Sequence, residues 1–211
     1  MSDHDDALPA DWFARVDETP DTAFYGQPRL VTHIDDATIA ALTDYYREVL
    51  PPGGALLDLM SSWVSHLPPE VAFARVAGLG MNGDELAANP RLDDAVVGDL
   101  NQAPVLPYAD AAFDAVMIVV SVQYLVRPVE VFREVARVLR PNGRLIVAMS
   151  HRCVPTKAVL AFRQLSARDR IHLVGMYCQR AGGFRDIAFV DRSPEGADPL
   201  WIVTAVRDGT G

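Results

Sequence analysis

Short apolar runs that alternate with helical patterns constrain the fold of this chain more than any other feature. Residues 55–59 read ALLDL between turn residues, which predicts a buried strand. Similar runs follow, and they predict further strands at 74–79, 95–97, 115–120, 145–149, 187–190 and 201–206. Strands that alternate with helices require right-handed crossovers and a mostly parallel sheet covered on both faces. The sequence therefore predicts a doubly wound, Rossmann-like α/β fold with about seven strands.

Helices are predicted from apolar spacing and from capping residues. The clearest pattern covers 128–140, with Pro128 suited to the first turn. Other patterns predict helices over 36–50 after an aspartate cap, over 84–89 and over 156–165, with a helical turn around Trp12 and Phe13. The chain of 211 residues suits one large domain. We expect residues 1–35 to form an N-terminal arm and substrate-side segment, and residues 36–211 to form a single α/β domain.

Charge and hydropathy exclude some classes of protein. The formal net charge of -9 argues against non-specific nucleic-acid binding, which needs a basic surface. The longest apolar stretch, residues 111–126, contains polar residues and is shorter than the roughly 20 residues that a membrane span needs. The N-terminus is acidic, unlike a secretory signal, so we expect a cytoplasmic location. The two cysteines, Cys153 and Cys178, are then expected to be free thiols.

Three segments carry a family resemblance. They are LLDL at 56–59, GDLNQAPVLPYADAAFDAVMI from Gly98, and VFREVARVLRPNGRLIVA from Val131. Together they resemble the class I S-adenosylmethionine-dependent methyltransferases, especially the small-molecule, type 11-like branch. The resemblance covers about residues 50–150 and continues weakly to the last strand, which it implies is antiparallel. It also implies S-adenosyl-L-methionine as cofactor and a small molecule as methyl acceptor.

The resemblance assigns roles to particular positions. It places Asp58 beside the methionine part of the cofactor, Asp99 and Leu100 at the adenine, and Ser121 beside the donor methyl group. An alternative for Asp58 is that its carboxylate only orients the following loop. For Asp114 the structural role is the better interpretation, because its counterpart supports a turn away from the ligand.

The chain departs from the family pattern at two places. The family usually has a glycine-rich D-x-G-x-G-x-G loop after the first strand, but Met60, Ser62 and Val64 stand at the glycine positions. A side chain there penalises positive φ or projects into the methionine site. After the second strand the family keeps an acidic residue for the ribose hydroxyls. Here the stretch is Gly78-Leu-Gly-Met-Asn82, so Gly80 replaces it; Asn82 is a weak substitute, and Asp84 follows two residues further.

Two hypotheses follow from these departures. In the first, which is favoured, Ser61, Ser62 and the start of a short helix before Pro68 bind the cofactor through a rebuilt loop, and the protein is a methyltransferase. In the second, the fold has lost the cofactor, and the chain is a ligand-binding or regulatory protein without methyl-transfer activity that works with a protein partner.

His66 and Cys153 follow strands whose carboxyl ends should meet at one edge of the sheet. A histidine and a cysteine there suggest non-methyl-transfer chemistry, through an activated thiolate or a metal ion. The alternative is that His66 caps backbone groups and Cys153 is a small buried residue. No paired metal-ligand spacing is present, so no metal is predicted.

Further residues are candidates for substrate contact. The segment 151–185 holds seven arginine or lysine residues and one acid, and the resemblance implies that it covers the pocket. Arg152 and Arg185 are the best placed for an anionic substrate, although a solvated helix face is the better interpretation for most of the segment. The segment before the first long helix contains Tyr25, Arg29 and His33. These residues either touch substrate, or packing of the apolar residues beside them against the core explains the segment. Trp63 either stacks on a base or fills the space near the methionine site.

Overall fold

A seven-stranded sheet organises the structure, a computed structural model that describes residues 8–209. The strand order is β3-β2-β1-β4-β5-β7-β6, in which β7 runs antiparallel to both neighbours and the other pairs are parallel. The strands are β1 Ala55–Leu59, β2 Arg75–Gly80, β3 Asp94–Val97, β4 Phe113–Val119, β5 Leu139–Met149, β6 Phe184–Asp191 and β7 Trp201–Arg207. The predicted fold, including the antiparallel last strand, is confirmed.

Six α-helices and two 3-10 helices cover the described part of the sheet. The α-helices are α1 Asp21–Phe24, α2 Asp36–Val49, α3 Gly83–Ala88, α4 Pro128–Val138, α5 Leu160–Gln164 and α6 Ala167–Ala181, and the 3-10 helices are Ala10–Phe13 and Val122–Tyr124. The prediction over 156–165 is too long, and α6 was missed. Within residues 8–209, none of the helices has the length and apolarity to cross a membrane.

The two faces of the sheet have separate hydrophobic cores. On one face, α4 and α6 pack together, and the rings of Phe132 and Tyr177 meet edge to face with centroids 5.6 Å apart. On the other face, α2 contributes Leu42, Tyr45 and Tyr46. Asp35 caps α2 by accepting a hydrogen bond from the Thr38 backbone N–H at 2.9 Å, as predicted.

The basic segment 151–185 does not cover the carboxyl edge of the sheet. Most of its charge lies on α5 and α6, and α6 packs on α4 against one face of the sheet. Buried Leu173, Val174 and Tyr177 hold α6 there. The expectation that this segment caps the pocket is therefore wrong beyond its first residues, since the apolar face of α6 has to cover the sheet.

The connection from β1 to β2 contains no helix. Residues 60–74, all of them described, run as turns and extended chain, so the helix expected before Pro68 is absent. Parallel strands are usually joined through a helix, and here the loop instead lies against the end of β2. The Ser61 backbone N–H donates to the Leu79 carbonyl at 2.8 Å. This contact holds the loop whose residues 60–66 line the candidate site.

Asp114 has the structural role expected of it. Its Oδ2 accepts a hydrogen bond from the Ala55 backbone N–H at 2.8 Å and lies 2.6 Å from Nη1 of Arg140. These contacts tie the starts of β1 and β4 to the first residues of β5. Asp114 therefore stabilises the sheet at the end opposite to the candidate site.

Candidate functional site

A cavity of about 370 Å³ lies at the carboxyl ends of β1 and β4. Ligands of open α/β sheets bind at this edge, near the point where the strand order reverses. Four of the residues to which the resemblance gives a role line the cavity together: Asp58, Asp99, Leu100 and Ser121. The described N-terminal residues fold back and supply another wall, which includes Asp21, Tyr25, Arg29 and His33.

The loop after β1 keeps one glycine-like conformation without a glycine. Met60, at the first glycine position of the family pattern, has φ 59°, in the left-handed region that favours glycine. Ser62 and Val64, at the other two positions, lie outside that region. His66, in the same loop, also has a positive φ, of 54°. The expected backbone penalty therefore applies to Met60 but not to Ser62 or Val64.

Asp58 holds this loop from the end of β1. Its Oδ2 accepts hydrogen bonds from the hydroxyls of Ser61 and Ser65, each at 2.6 Å, and Ser65 in turn accepts one from Nδ2 of Asn89 at 2.9 Å. Burial raises the pKa of the Asp58 carboxyl to about 6, although both hydroxyl contacts oppose the rise. Asp58 thus orients the loop while it also lines the cavity.

Glu85 is a cavity residue that the sequence analysis missed. From the first turn of α3, its Oε2 accepts from the Ser62 hydroxyl at 2.6 Å and its Oε1 accepts from the Arg29 backbone N–H at 2.7 Å. The available signal was its place three residues after the cap residue Asn82. That signal alone does not show that the loop after β1 comes within reach.

Asn82 does not take the place expected for it. Its Oδ1 accepts from the backbone N–H groups of Asp84 and Glu85 at 3.0 and 3.1 Å, and its Nδ2 donates to the Tyr25 carbonyl at 2.8 Å. The side chain caps α3 and does not line the cavity. The expectation that Asn82 replaces the acidic residue is therefore wrong, because its amide is committed to the helix cap and the N-terminal wall.

At the other end of the cavity, Asp99 and Ser121 stand on neighbouring loops. Oδ1 of Asp99 accepts from the Asn101 backbone N–H at 2.9 Å. The Oγ of Ser121 is buried and has no hydrogen-bond partner among residues 8–209. Val120 beside it has φ 47°, which is strained for a β-branched residue. An unpaired hydroxyl and a strained strand end are typical of a ligand site.

Two histidines of different segments line the same cavity. Burial, together with the nearby imidazole of His33, lowers the pKa of His66 to about 4. Burial also lowers the pKa of His33. The charge of Glu85 opposes this shift, and the charge of Arg29 adds to it. Both imidazoles are therefore neutral at pH 7. Cys153 borders the cavity as well and is exposed. The alternative that Cys153 is a small buried residue is therefore wrong.

The hypothesis of metal chemistry at His66 and Cys153 lacks a set of ligands in the described part of the chain. Among residues 8–209, no three histidine, cysteine or acidic side chains come together in a way that could hold a metal ion.

The predicted substrate residues have different surroundings. Trp63 lines the cavity and donates from Nε1 to the Val31 carbonyl at 2.9 Å. Arg29 stacks on Phe24, with its guanidinium carbon 4.1 Å from the ring centroid. Tyr25 lines the cavity, where burial raises the pKa of its phenol. All three line the cavity, and their contact with a ligand stays a prediction.

The two arginines expected to bind an anion are both engaged elsewhere. Nε of Arg152 lies 3.0 Å from each carboxylate oxygen of Asp198, although the residue borders the cavity. Arg185 lies at the start of β6, where it donates to Oδ1 of Asn142 at 2.8 Å and pairs with Asp186. That position is at the amino end of β5, away from the cavity. The placement of Arg185 at the site is therefore wrong.

A buried ion cluster fixes the N-terminal wall. Asp21 accepts two hydrogen bonds from Nη1 of Arg15, at 2.7 and 2.8 Å, and one from Nδ2 of Asn101 at 2.9 Å. Nζ of Lys157 lies 3.2 Å from Oδ1 of Asp21 and donates to the Thr19 carbonyl at 2.7 Å. Lys157 is the only lysine of the chain and is fully buried. The sequence analysis missed the cluster because its members are far apart along the chain.

Comparisons with known proteins agree with this geometry. A family model described as a methyltransferase domain matches residues 62–147. The chain is 34% identical over 125 residues to 27-O-demethylrifamycin SV methyltransferase from Amycolatopsis mediterranei, covering 53% of this chain and 44% of that protein. It is 47% identical over 57 residues to methyltransferase GfsG from Streptomyces halstedii, covering 27% of this chain and 20% of the relative. The crystal structure of the [4+2]-cyclase SpnF superposes with a TM-score of 0.62 at 21% identity, over 90% of this chain and 92% of that one.

The sheet, the cavity at its carboxyl edge and these matches define a class I methyltransferase fold. The predicted resemblance to the S-adenosylmethionine-dependent methyltransferases is confirmed by the family model over residues 62–147 and by the relative from Amycolatopsis. The chain spans less than half the length of the curated relatives that it matches.

Proposed function

We propose that this protein binds S-adenosyl-L-methionine and transfers its methyl group to a small molecule. The observation that carries the proposal is the meeting of Asp58, Asp99, Leu100 and Ser121 in one cavity. These are the positions to which the family resemblance assigns cofactor contacts, and they come from three separate stretches of the chain. The match of residues 62–147 to a methyltransferase family model and the similarity to the Amycolatopsis methyltransferase support the same conclusion.

The residues present fit the cofactor. A volume of about 370 Å³ lies within the range of small-molecule pockets, roughly 300–1,000 Å³. The unpaired Ser121 hydroxyl is a free hydrogen-bonding group in the wall, and the Met60 backbone keeps the conformation that a glycine would supply. Asp99 and Leu100 would hold the adenine, and Asp58 with the Ser61–Ser65 loop would hold the methionine end.

The protein's contribution to the reaction would be placement of the acceptor. When bound, the cofactor supplies an electrophilic methyl group on a sulfonium sulfur. The cavity walls would bring an acceptor oxygen, nitrogen or carbon into line with it, and proximity of this kind can supply most of the rate. Neutral His33 and His66 line the same space, and His33 is the better candidate to take a proton from an acceptor hydroxyl, because a pKa of about 4 makes His66 a weak base.

The surroundings favour an uncharged acceptor over an anionic one. Besides Asp21, which is paired with Arg15 and Lys157, three carboxylates line the cavity (Asp58, Glu85 and Asp99), whereas Arg29 stacks on Phe24 and Arg152 is paired with Asp198. A negatively charged acceptor would therefore meet more like charge than free positive charge. The relative from Amycolatopsis is named as a methyltransferase of 27-O-demethylrifamycin SV, which supports an organic small molecule as acceptor.

Isothermal titration with S-adenosylmethionine and S-adenosylhomocysteine tests the proposed cofactor. We expect both to bind with dissociation constants below millimolar and with a stoichiometry of one. Protein that is folded by circular dichroism and gives no heat with either ligand up to millimolar concentration would refute the proposal. Because the [4+2]-cyclase SpnF has the same fold, transfer is measured separately, as label from methyl-labelled cofactor recovered in an uncharged hydroxylated acceptor.

A further inference from the structure

We infer that Glu85 binds the ribose hydroxyls of the cofactor, in place of the carboxylate that the family keeps at the end of the second strand. The inference rests on the proposed function, because it concerns the same ligand. It assigns the binding role to a residue on α3, whereas the family's carboxylate stands at the end of the second strand.

No side chain can stand at the usual position. A Cβ built on Gly80 would come within 2.2 Å of the Ser61 carbonyl oxygen, closer than any real contact. The Ser61 backbone is held there by its own N–H bond to the Leu79 carbonyl. The rebuilt loop therefore occupies the space from which a strand-end carboxylate would reach the ligand.

Glu85 reaches the cavity from the next element of the chain. α3 begins directly after β2, and Oδ1 of Asn82 fixes the backbone N–H of Glu85 at 3.1 Å. The carboxylate lines the cavity and is held by Ser62 on one oxygen and by the Arg29 backbone on the other. An ionised carboxylate has about four acceptor sites, so the two bonds leave room for two hydroxyl donors.

The other carboxylates of the cavity are committed elsewhere. The family resemblance assigns Asp58 to the methionine part of the cofactor, and Asp21 is bound by Arg15, Lys157 and Asn101. Asp99 lies after β3, at the position that the family resemblance assigns to adenine. Glu85 is thus the cavity carboxylate next to the end of β2 that has no other assigned role and retains acceptor sites.

The contacts also explain the two departures from the family pattern together. Ser62 replaces a glycine, and its hydroxyl fixes the orientation of Glu85. Gly80 replaces an acid, and its missing side chain admits the Ser61 carbonyl. The acidic function would have moved by five residues, with the loop rebuilt around it.

Calorimetry with two ligands tests this role. S-adenosylhomocysteine and its analogue without the 2′ and 3′ hydroxyls are titrated into the wild-type protein, Glu85→Gln, Glu85→Ala and the control Asp84→Asn, whose residue lies in the same helical turn and does not line the cavity. We expect the wild type and the control to prefer the hydroxylated ligand by tenfold or more. Glu85→Ala should reduce that preference to less than threefold, with Glu85→Gln intermediate.

Ser62→Ala separates ligand contact from support of the loop. This variant loses the hydrogen bond between residue 62 and Glu85 but keeps the Glu85 carboxylate, so the preference for the hydroxylated ligand should persist. The inference is overturned if Glu85→Ala and Glu85→Gln weaken both ligands equally, or weaken neither, while the wild type discriminates. If the folded wild type binds neither ligand, the proposed function fails as well, which distinguishes the two failures.

Discussion

Nζ of Lys157 lies 3.2 Å from Oδ1 of Asp21, and both side chains are buried. The pair joins the loop before α5 to α1, and therefore holds the N-terminal wall of the cavity in place. Lys157 also lies 5.5 Å from the centroid of the Phe24 ring. A carboxylate in such a site depends on its cations, since a buried charge without a partner is costly.

Lys157→Met is therefore expected to destabilise the protein by about 3 to 5 kcal/mol, because it leaves Asp21 with less compensation in a buried site. Urea denaturation measures the change. The control Arg127→Met removes an exposed pair with Glu130 and should cost less than about 1 kcal/mol. Equal effects of the two variants would show that the buried pair does not stabilise the fold.

Ser121→Ala separates ligand binding from stability. Because the Ser121 hydroxyl has no partner in the described structure, its removal should change the free energy of unfolding by less than about 0.5 kcal/mol. Binding of S-adenosylhomocysteine should weaken by about fivefold or more, as one hydrogen bond is lost. The control Ser150→Ala removes another buried, unpaired hydroxyl outside the main cavity, and should leave the affinity unchanged. Equal affinities for wild type and Ser121→Ala would exclude a ligand contact.

Met60 allows a direct test of the loop conformation. Met60→Gly and Met60→Ala lose nearly the same side chain, but only glycine adopts φ 59° without strain. The glycine variant should therefore be about 1 kcal/mol more stable than the alanine variant. Thermal denaturation of both proteins measures the difference. An alanine variant as stable as the glycine variant would contradict a left-handed Met60.

His66 predicts a defined pH dependence of stability. Its folded pKa of about 4 lies below the unfolded value of 6.5, so the unfolded state binds more protons between these values. His66 therefore makes stability rise as the pH increases from 4 to 6.5, and His66→Gln should remove up to a few kcal/mol of that rise. Urea titrations of both proteins across this range measure it. Parallel profiles would show that the imidazole is not desolvated.

For Asp58 we expect the opposite dependence of stability on pH. Its pKa of about 6 lies above the unfolded value of 3.8, so the folded state binds more protons and stability falls as the pH increases from 4 to 6. Asp58→Asn should remove this fall, and the profile of the variant should rise more steeply than that of the wild type. A shallower profile for Asp58→Asn would mean that its hydrogen bonds to Ser61 and Ser65 outweigh burial.

The sheet could be predicted because each strand carries a local signal. The runs at 55–59 and 145–149 are almost wholly apolar, and parallel strands buried on both faces require that pattern. α6 was missed because arginines interrupt its sequence, although Leu173, Val174 and Tyr177 bury one face. The predicted helix before Pro68 is absent because the loop gains its contacts from Asp58 and β2, which no local pattern reveals.

The site was predictable where a residue follows a strand end. Asp58 and Ser121 reach the cavity for that reason, whereas Glu85 and Lys157 depend on partners more than 20 residues away. Arg185 was misplaced because its strand runs parallel to β5, which puts its first residues at the amino edge. Long-range contacts of this kind follow from topology.

A crystal structure with S-adenosylhomocysteine tests the central claim most directly. We predict density for one molecule in the cavity, with adenine at Asp99 and Leu100, ribose hydroxyls at Glu85, and the sulfur beside Ser121. Crystals grown at saturating ligand that show the cavity without it, or show it bound elsewhere on the protein, would contradict the assignment of this cavity as the cofactor site.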